Sequence, residues 1–302
     1  MKLIGFDKIN SQLSDSYNSN HLHHGILLSG KKGIGKYSFA LNFIQNILNN
    51  RADTNPDILI IQKEEGKKEI TVDKIRKLFS FVTQTSAHSK DKFVIIDSVC
   101  SLNKSAANAL LKILEEPRPN NYLFLIAHNL NKVLPTIRSR SFIIKAQGLD
   151  KADFKNIITE NNFSFSDTDI NFLSELCDNS PALAIEIGED LKRLYELFLR
   201  SLINEKVTES LLKIISDKNF NFDIFIRCYE FFILRLLKDY SNFKFTKFYE
   251  EEEVFIKLKQ KFNSSVLQAS FDENLNILYK TIPLNLSKKL SFINAFQSLI
   301  HE

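Results

Sequence analysis

Between the apolar run Gly25-Ile26-Leu27-Leu28-Ser29 and a stretch from Ser38 to Leu48 lies Gly30-Lys31-Lys32-Gly33-Ile34-Gly35-Lys36-Tyr37. The apolar run reads as a buried strand. After the loop, apolar residues at 39, 40, 43, 44, 47 and 48 follow a helical period. Strand, glycine loop and helix in that order restrict the chain to an α/β unit with the loop at a carboxyl strand end. The spacing is that of a phosphate-binding loop: Gly, four residues, Gly-Lys, then Ser or Thr. Backbone N–H groups and Lys36 can cradle phosphates there. Tyr37, however, stands where a hydroxyl should hold Mg²⁺. Ser38 follows it, but one helical residue turns the side chain by about 100°. The nucleotide-binding candidates in the loop are Gly30, Lys31, Gly33, Gly35, Lys36, Tyr37 and Ser38. The expected ligand is ATP or ADP, with Mg²⁺ only alongside nucleotide.

The first half of the chain repeats this alternation. Strands are expected at Gly25–Ser29, Ile58–Ile61, Phe93–Ile96, Tyr122–Ala127 and Ser141–Lys145, with helices near 38–49, 72–84, 103–116 and 133–139. Short apolar runs separated by helices predict a five-stranded parallel sheet covered on both faces. After about residue 147 no strand is expected. Small helices are read at Lys151–Glu160, Thr168–Cys177 and Ala182–Glu189, followed by long amphipathic helices including Leu191–Asn204, Phe222–Tyr240 and Leu286–Ile300. The run Glu250–Glu253 reads as a solvated helix start.

A nucleotide hydrolase also needs an acidic residue ending a buried strand, and Phe93-Val94-Ile95-Ile96-Asp97 supplies Asp97. A general base often follows it; here that position is Ser98, and losing such a base costs about 10²–10⁴-fold. Asn103 reads as a helix cap and Pro117 as a stop. Composition adds exclusions. The 302 residues suit two or three domains, and a net charge of +4 does not by itself call for nucleic acid. Cys100, Cys177 and Cys228 have no metal-ligand spacing and suit a reducing compartment. No stretch reaches 18 apolar residues, so no membrane span is expected and a cytoplasmic location is.

Several motifs in order carry a resemblance. They are Leu22-His23-His24-Gly25-Ile26-Leu27-Leu28, the loop 30–36, Asn55-Pro56-Asp57-Ile58-Leu59, Ile70-Thr71-Val72-Asp73-Lys74-Ile75-Arg76, the helix 106–117 and Leu134-Pro135-Thr136-Ile137-Arg138-Ser139-Arg140-Ser141. Over residues 1–147 they resemble the delta-prime family of bacterial DNA polymerase III clamp-loader subunits. The resemblance continues weakly through Asn179-Ser180-Pro181-Ala182-Leu183-Ala184 and is architectural beyond 191.

The resemblance implies an AAA+ P-loop module over 1–147, a helical lid over 148–190 and an all-α collar for oligomerisation over 191–302. It implies a hetero-pentameric ring with gamma/tau and delta subunits that loads a sliding clamp onto primer-template DNA. The family's Ser-Arg-Cys motif gives an arginine finger to the neighbouring subunit's ATP site. That residue corresponds to Arg140, with Ser141 in place of the Cys. Arg138 is read as structural or DNA-facing, and Lys104 and Lys112 as DNA-contact candidates or a solvated face. The family's phosphate-sensing positions fall on Asn129 (or His128) and on Ala182 or Leu183. Relatives carry a four-cysteine zinc module where residues 49–57 have no cysteine, so no zinc is expected. Tyr37, Ser98 and the lid residue together imply a non-hydrolysing stator. The alternative is an active AAA+ ATPase, either a gamma/tau-type motor or a Holliday-junction type.

Overall fold

The computed structural model describes residues 4–48, 55–64, 67, 69–84, 90–161 and 164–300. Of the cysteine-free stretch 49–57 behind the zinc expectation, residues 49–54 lie outside this set. The chain forms two compact units, Met1–Ile157 with Asn179–Ala182, and Ile158–Asp178 with Leu183–Glu302.

The first unit holds a parallel sheet of five strands: β1 (Gly25–Ser29), β2 (Ile58–Gln62), β3 (Lys92–Asp97), β4 (Asn121–Ala127) and β5 (Phe142–Lys145). Their order is β2-β3-β4-β1-β5. Helices α1 (Asp7–Asn18), α2 (Lys36–Leu48), α3 (Val72–Thr83), α4 (Lys104–Glu115) and α5 (Pro135–Arg138) complete it. Strand side chains alternate between faces. Leu27, Val94, Ile96, Leu123 and Leu125 pack with Ile75, Leu78, Leu110 and Ile113 of α3 and α4. Their neighbours Ile26, Leu28, Phe93, Ile95, Phe124 and Ile126 pack with Leu13 of α1 and Phe39, Phe43 and Ile44 of α2. Both faces are therefore apolar, which is why these strands read as continuous hydrophobic runs. Ala106 and Ala107 let α4 lie close to the sheet. Asn103 caps α4 as expected, its side chain accepting from Ala106 N at 2.8 Å.

Among the described residues, those after β5 form helices and no strand: α6 (Lys151–Glu160), α7 (Asp167–Leu176), α8 (Pro181–Ile203), α9 (Glu209–Ser216), α10 (Phe222–Tyr240), α11 (Glu251–Lys261), α12 (Ser264–Thr281) and α13 (Lys288–Gln297). The helices expected separately at 182–189 and 191–204 are one, α8. Gly188 does not break it, because the missing side chain lets α8 approach α7. A Cβ there would lie 3.2 Å from Leu173 and 3.3 Å from Phe165. The second unit has a core of aromatic rings, including Phe172, Tyr195, Phe198, Phe225, Tyr229, Phe232 and Phe248, all under 2% exposed.

One expectation fails here. Glu252 and Glu253 are exposed, but Glu251 is fully buried. Its carboxylate accepts from Arg235 Nε at 2.8 Å, Arg235 Nη2 at 2.8 Å, Tyr195 Oη at 2.5 Å and Phe248 N at 2.9 Å. Arg235 also donates to Glu175 at 2.6 Å and to Thr246 O, and lies over the ring of Phe248. A carboxylate can be buried when all its lone pairs are used and a cation balances it. Among the described residues no helix is long and apolar enough to cross a membrane.

Candidate nucleotide site and arginine finger

The loop leaves β1 between two other strand ends. Gly30 N donates to Ala127 O at 3.1 Å, while Ala146 N donates to Ser29 O at 2.7 Å. A Cβ on Gly30 would sit 2.5 Å from Ala146 O, so the chain passes only with glycine. Gly33 and Gly35 have φ of 83° and 95°, the left-handed region that turns the loop into α2. The first turn of α2 carries no acidic residue, so its positive end stays available to an anion.

Lys36 is 3% exposed. Its ammonium donates to Gly30 O at 2.7 Å and Lys31 O at 2.5 Å. Burial lowers its pKa to about 8, against the opposing pull of Asp97. Asp97, at the end of β3, has its carboxyl raised by burial and opposed by Lys36 and Lys32. His128, just after β4, lies with Nε2 3.7 Å from Asp97 Oδ1. Burial first, then Lys36 and Lys32, push His128 down to about 4. It is neutral at pH 7, so the contact with Asp97 is not an ion pair. Asp97 Oδ1 and His128 Nδ1 are buried and have no hydrogen-bond partner. Buried polar atoms without partners beside a glycine cradle and a lysine fit a polar ligand such as a polyphosphate.

The other candidates are placed as follows. Lys31 and Ser38 are exposed. Tyr37 is half-buried and packs on the α1–α2 core. Ser98 caps the 3-10 turn Val99–Ser101, accepting from Cys100 N at 3.2 Å. Asn129 accepts from Asn131 N at 2.9 Å, and its carbonyl accepts from Cys100 Sγ at 3.2 Å. The residue that meets Asp97 is therefore His128, and Asn129 caps the turn after it. At the lid, Ala182 N donates to Gly33 O at 3.3 Å, and the residue at this position carries no guanidinium.

Arg140 is not part of this cluster. Its backbone lies against the amino end of β1, where a Cβ on Gly25 would be 3.4 Å from Arg140 O. The loop leaves the other end of the strand, about 16 Å away at about 3.3 Å per residue. The guanidinium binds Glu115 Oε1 at 2.9 Å, Thr136 O at 3.2 Å and Ser139 Oγ at 3.3 Å. Ser141 Oγ donates to Ile137 O at 2.8 Å, a local role that leaves the arginine unaffected. Arg138 Nε is buried and has no hydrogen-bond partner. Lys104 and Lys112 are exposed on α4. Glu115 did not stand out in the sequence; a carboxylate in the last turn of a helix, where the dipole disfavours it, was the available signal.

A glycine loop on β1 of a five-stranded parallel sheet, followed by an all-helical region, is an AAA+-like fold. Residues 5–150 match the family described as "DNA polymerase III, delta subunit". The DNA polymerase III subunit delta' of Pseudomonas aeruginosa is 38% identical over 39% of this chain and 41% of its own length. That of Haemophilus influenzae is 31% identical over 43% of this chain and 44% of its own. These matches span less than half of either relative. A DNA polymerase III gamma-subunit-related protein of Thermotoga maritima shares the fold, with a TM-score of 0.53, 19% identity and 98% of both chains covered. Over its first unit the chain is similar to DNA polymerase III delta-prime subunits.

Proposed function

We propose that this chain is the stator of a clamp-loader ring, a subunit that performs no useful hydrolysis and gives Arg140 to the nucleotide site of a neighbouring subunit. The separation of Arg140 from its own loop along β1 carries the reading. About 16 Å of strand exceeds the reach of an arginine side chain, so any phosphate it meets belongs to another chain. There it would balance the charge that spreads over the phosphoryl oxygens as they transfer, an effect of about 10³–10⁵ in rate.

The chain's own loop supports a binding role. Loop N–H groups and Lys36 suit the phosphates of ATP or ADP, and Asp97 suits Mg²⁺ held through water. With nucleotide, Mg²⁺ would supply charge balance to those phosphates. The positions that hydrolysis would use are filled otherwise: Tyr37 packs on the core and Ser98 caps a turn. The expected partners are the gamma/tau and delta subunits in a hetero-pentameric ring, with the sliding clamp and primer-template DNA met by the assembled ring. DNA would be met through backbone phosphates.

The test is reconstitution of the ring with Arg140→Ala. Hydrolysis at the adjoining site should fall by about 10³-fold or more, and clamp loading with it. Normal ATPase and loading would remove Arg140 from the mechanism. The purified chain alone should hydrolyse no ATP above background; turnover abolished by Lys36→Ala would instead favour an active ATPase.

A further inference from the structure

We propose that Glu115 is the positioning residue for Arg140, an inference that rests on the arginine-finger reading above. Of the three acceptors on the guanidinium, Thr136 O and Ser139 Oγ belong to the same short turn and move with it. Glu115 comes from α4, which is anchored to the sheet by Leu110, Ile113 and Leu114. The carboxylate at 2.9 Å therefore fixes the guanidinium relative to the body of the subunit.

The end of α4 is held firmly enough for this. His24 Nε2 lies 3.1 Å from Leu114 O, and Glu116 N donates to Lys112 O at 3.2 Å. Burial, and then the neighbouring His23, hold His24 below the usual histidine range, so it is a neutral donor to that carbonyl. A carboxylate at this end opposes the helix dipole, so α4 itself gains nothing from Glu115. The pair is also accessible, with side chains 37% and 47% exposed for Arg140 and Glu115. An arginine has five N–H donors, so N–H groups remain for an incoming phosphate. An unrestrained arginine must be ordered each time it engages, and a fixed partner removes part of that cost.

The experiment uses rings of the full chain with gamma/tau and delta subunits, measuring ATPase kcat and KM and clamp loading. Glu115→Ala should lower kcat by about twofold to fivefold, the range of an exposed ion pair, with KM unchanged. Glu115→Gln, which keeps the acceptor without the charge, should fall between. The gap from wild type should close at high salt. In an Arg140→Ala background, Glu115→Ala should have no further effect.

If Glu115→Ala matches wild type at low salt while Arg140→Ala loses turnover, the positioning role is wrong and the finger stands. An equal loss from Glu115→Ala in both backgrounds also overturns the positioning role, because Glu115 then acts by another route. If Arg140→Ala is itself silent, the finger reading fails and the positioning role with it.

Discussion

Replacing Glu251 by Ala should remove about 5 kcal/mol of stability from the helical unit. The figure follows from what the carboxylate holds. Arg235, whose side chain is 4% exposed, would keep Glu175 and Thr246 O but lose both bonds to Glu251. Breaking one side of a buried ion pair costs about 3–5 kcal/mol. Tyr195 Oη and Phe248 N would each lose an acceptor, at about 1–3 kcal/mol per buried donor. These costs overlap, since the cavity relaxes once for all of them, so the lower ends are summed: about 3 plus about 1 plus about 1 kcal/mol. A domain is stable by about 5–15 kcal/mol in total, so the variant should be at the edge of folding. Urea unfolding of the full chain, followed by circular dichroism and tryptic resistance of 183–300, reads the loss. Replacing both charges, Arg235→Met with Glu251→Leu, should recover most of it. A loss below about 1 kcal/mol for Glu251→Ala would refute the reasoning, because it would mean that Arg235, Tyr195 and Phe248 are not left unsatisfied when the carboxylate goes.

Two further outcomes concern the loop. Lys36 has a pKa near 8 in the free protein, and a bound polyphosphate favours its charged form. Nucleotide affinity should therefore hold below pH 8 and weaken by about tenfold per pH unit above it; a fluorescent ATP analogue titrated from pH 7.5 to 9.5 checks this, and Lys36→Arg should flatten the profile. Gly30→Ala forces a Cβ onto Ala146 O at 2.5 Å, and backbone at both ends leaves little room to yield. It should cost about 1–3 kcal/mol in thermal unfolding and abolish binding of the same analogue.

Much of the first unit was legible because burial on both faces writes each strand as an apolar run. The observed strands differ from the expected ones by at most one residue at either end. Helix α1 was not expected. It reaches the core mainly through Leu13, within an otherwise polar sequence, so its periodicity is faint. Glu251 was misread for a related reason: charge runs are usually solvated, and the partner that buries this carboxylate lies 16 residues away on α10. Helices 182–189 and 191–204 read as separate where there is one, since composition does not record that a missing side chain at Gly188 can bring two helices together. At the candidate nucleotide site, loop, lysine and strand-end carboxylate were all visible in order. The choice between His128 and Asn129 was not, since one residue of register at a strand exit decides which side chain faces the loop.

Strand β1 runs from beside the backbone of Arg140 at one end to the glycine loop at the other. It works as a ruler: its five residues set how far the loop lies from Arg140. Residues at the loop, such as Tyr37 and Ser98, can vary without disturbing that length. A single inserted or deleted residue in β1 would change that length, and because strand side chains alternate it would also turn part of the buried strand over.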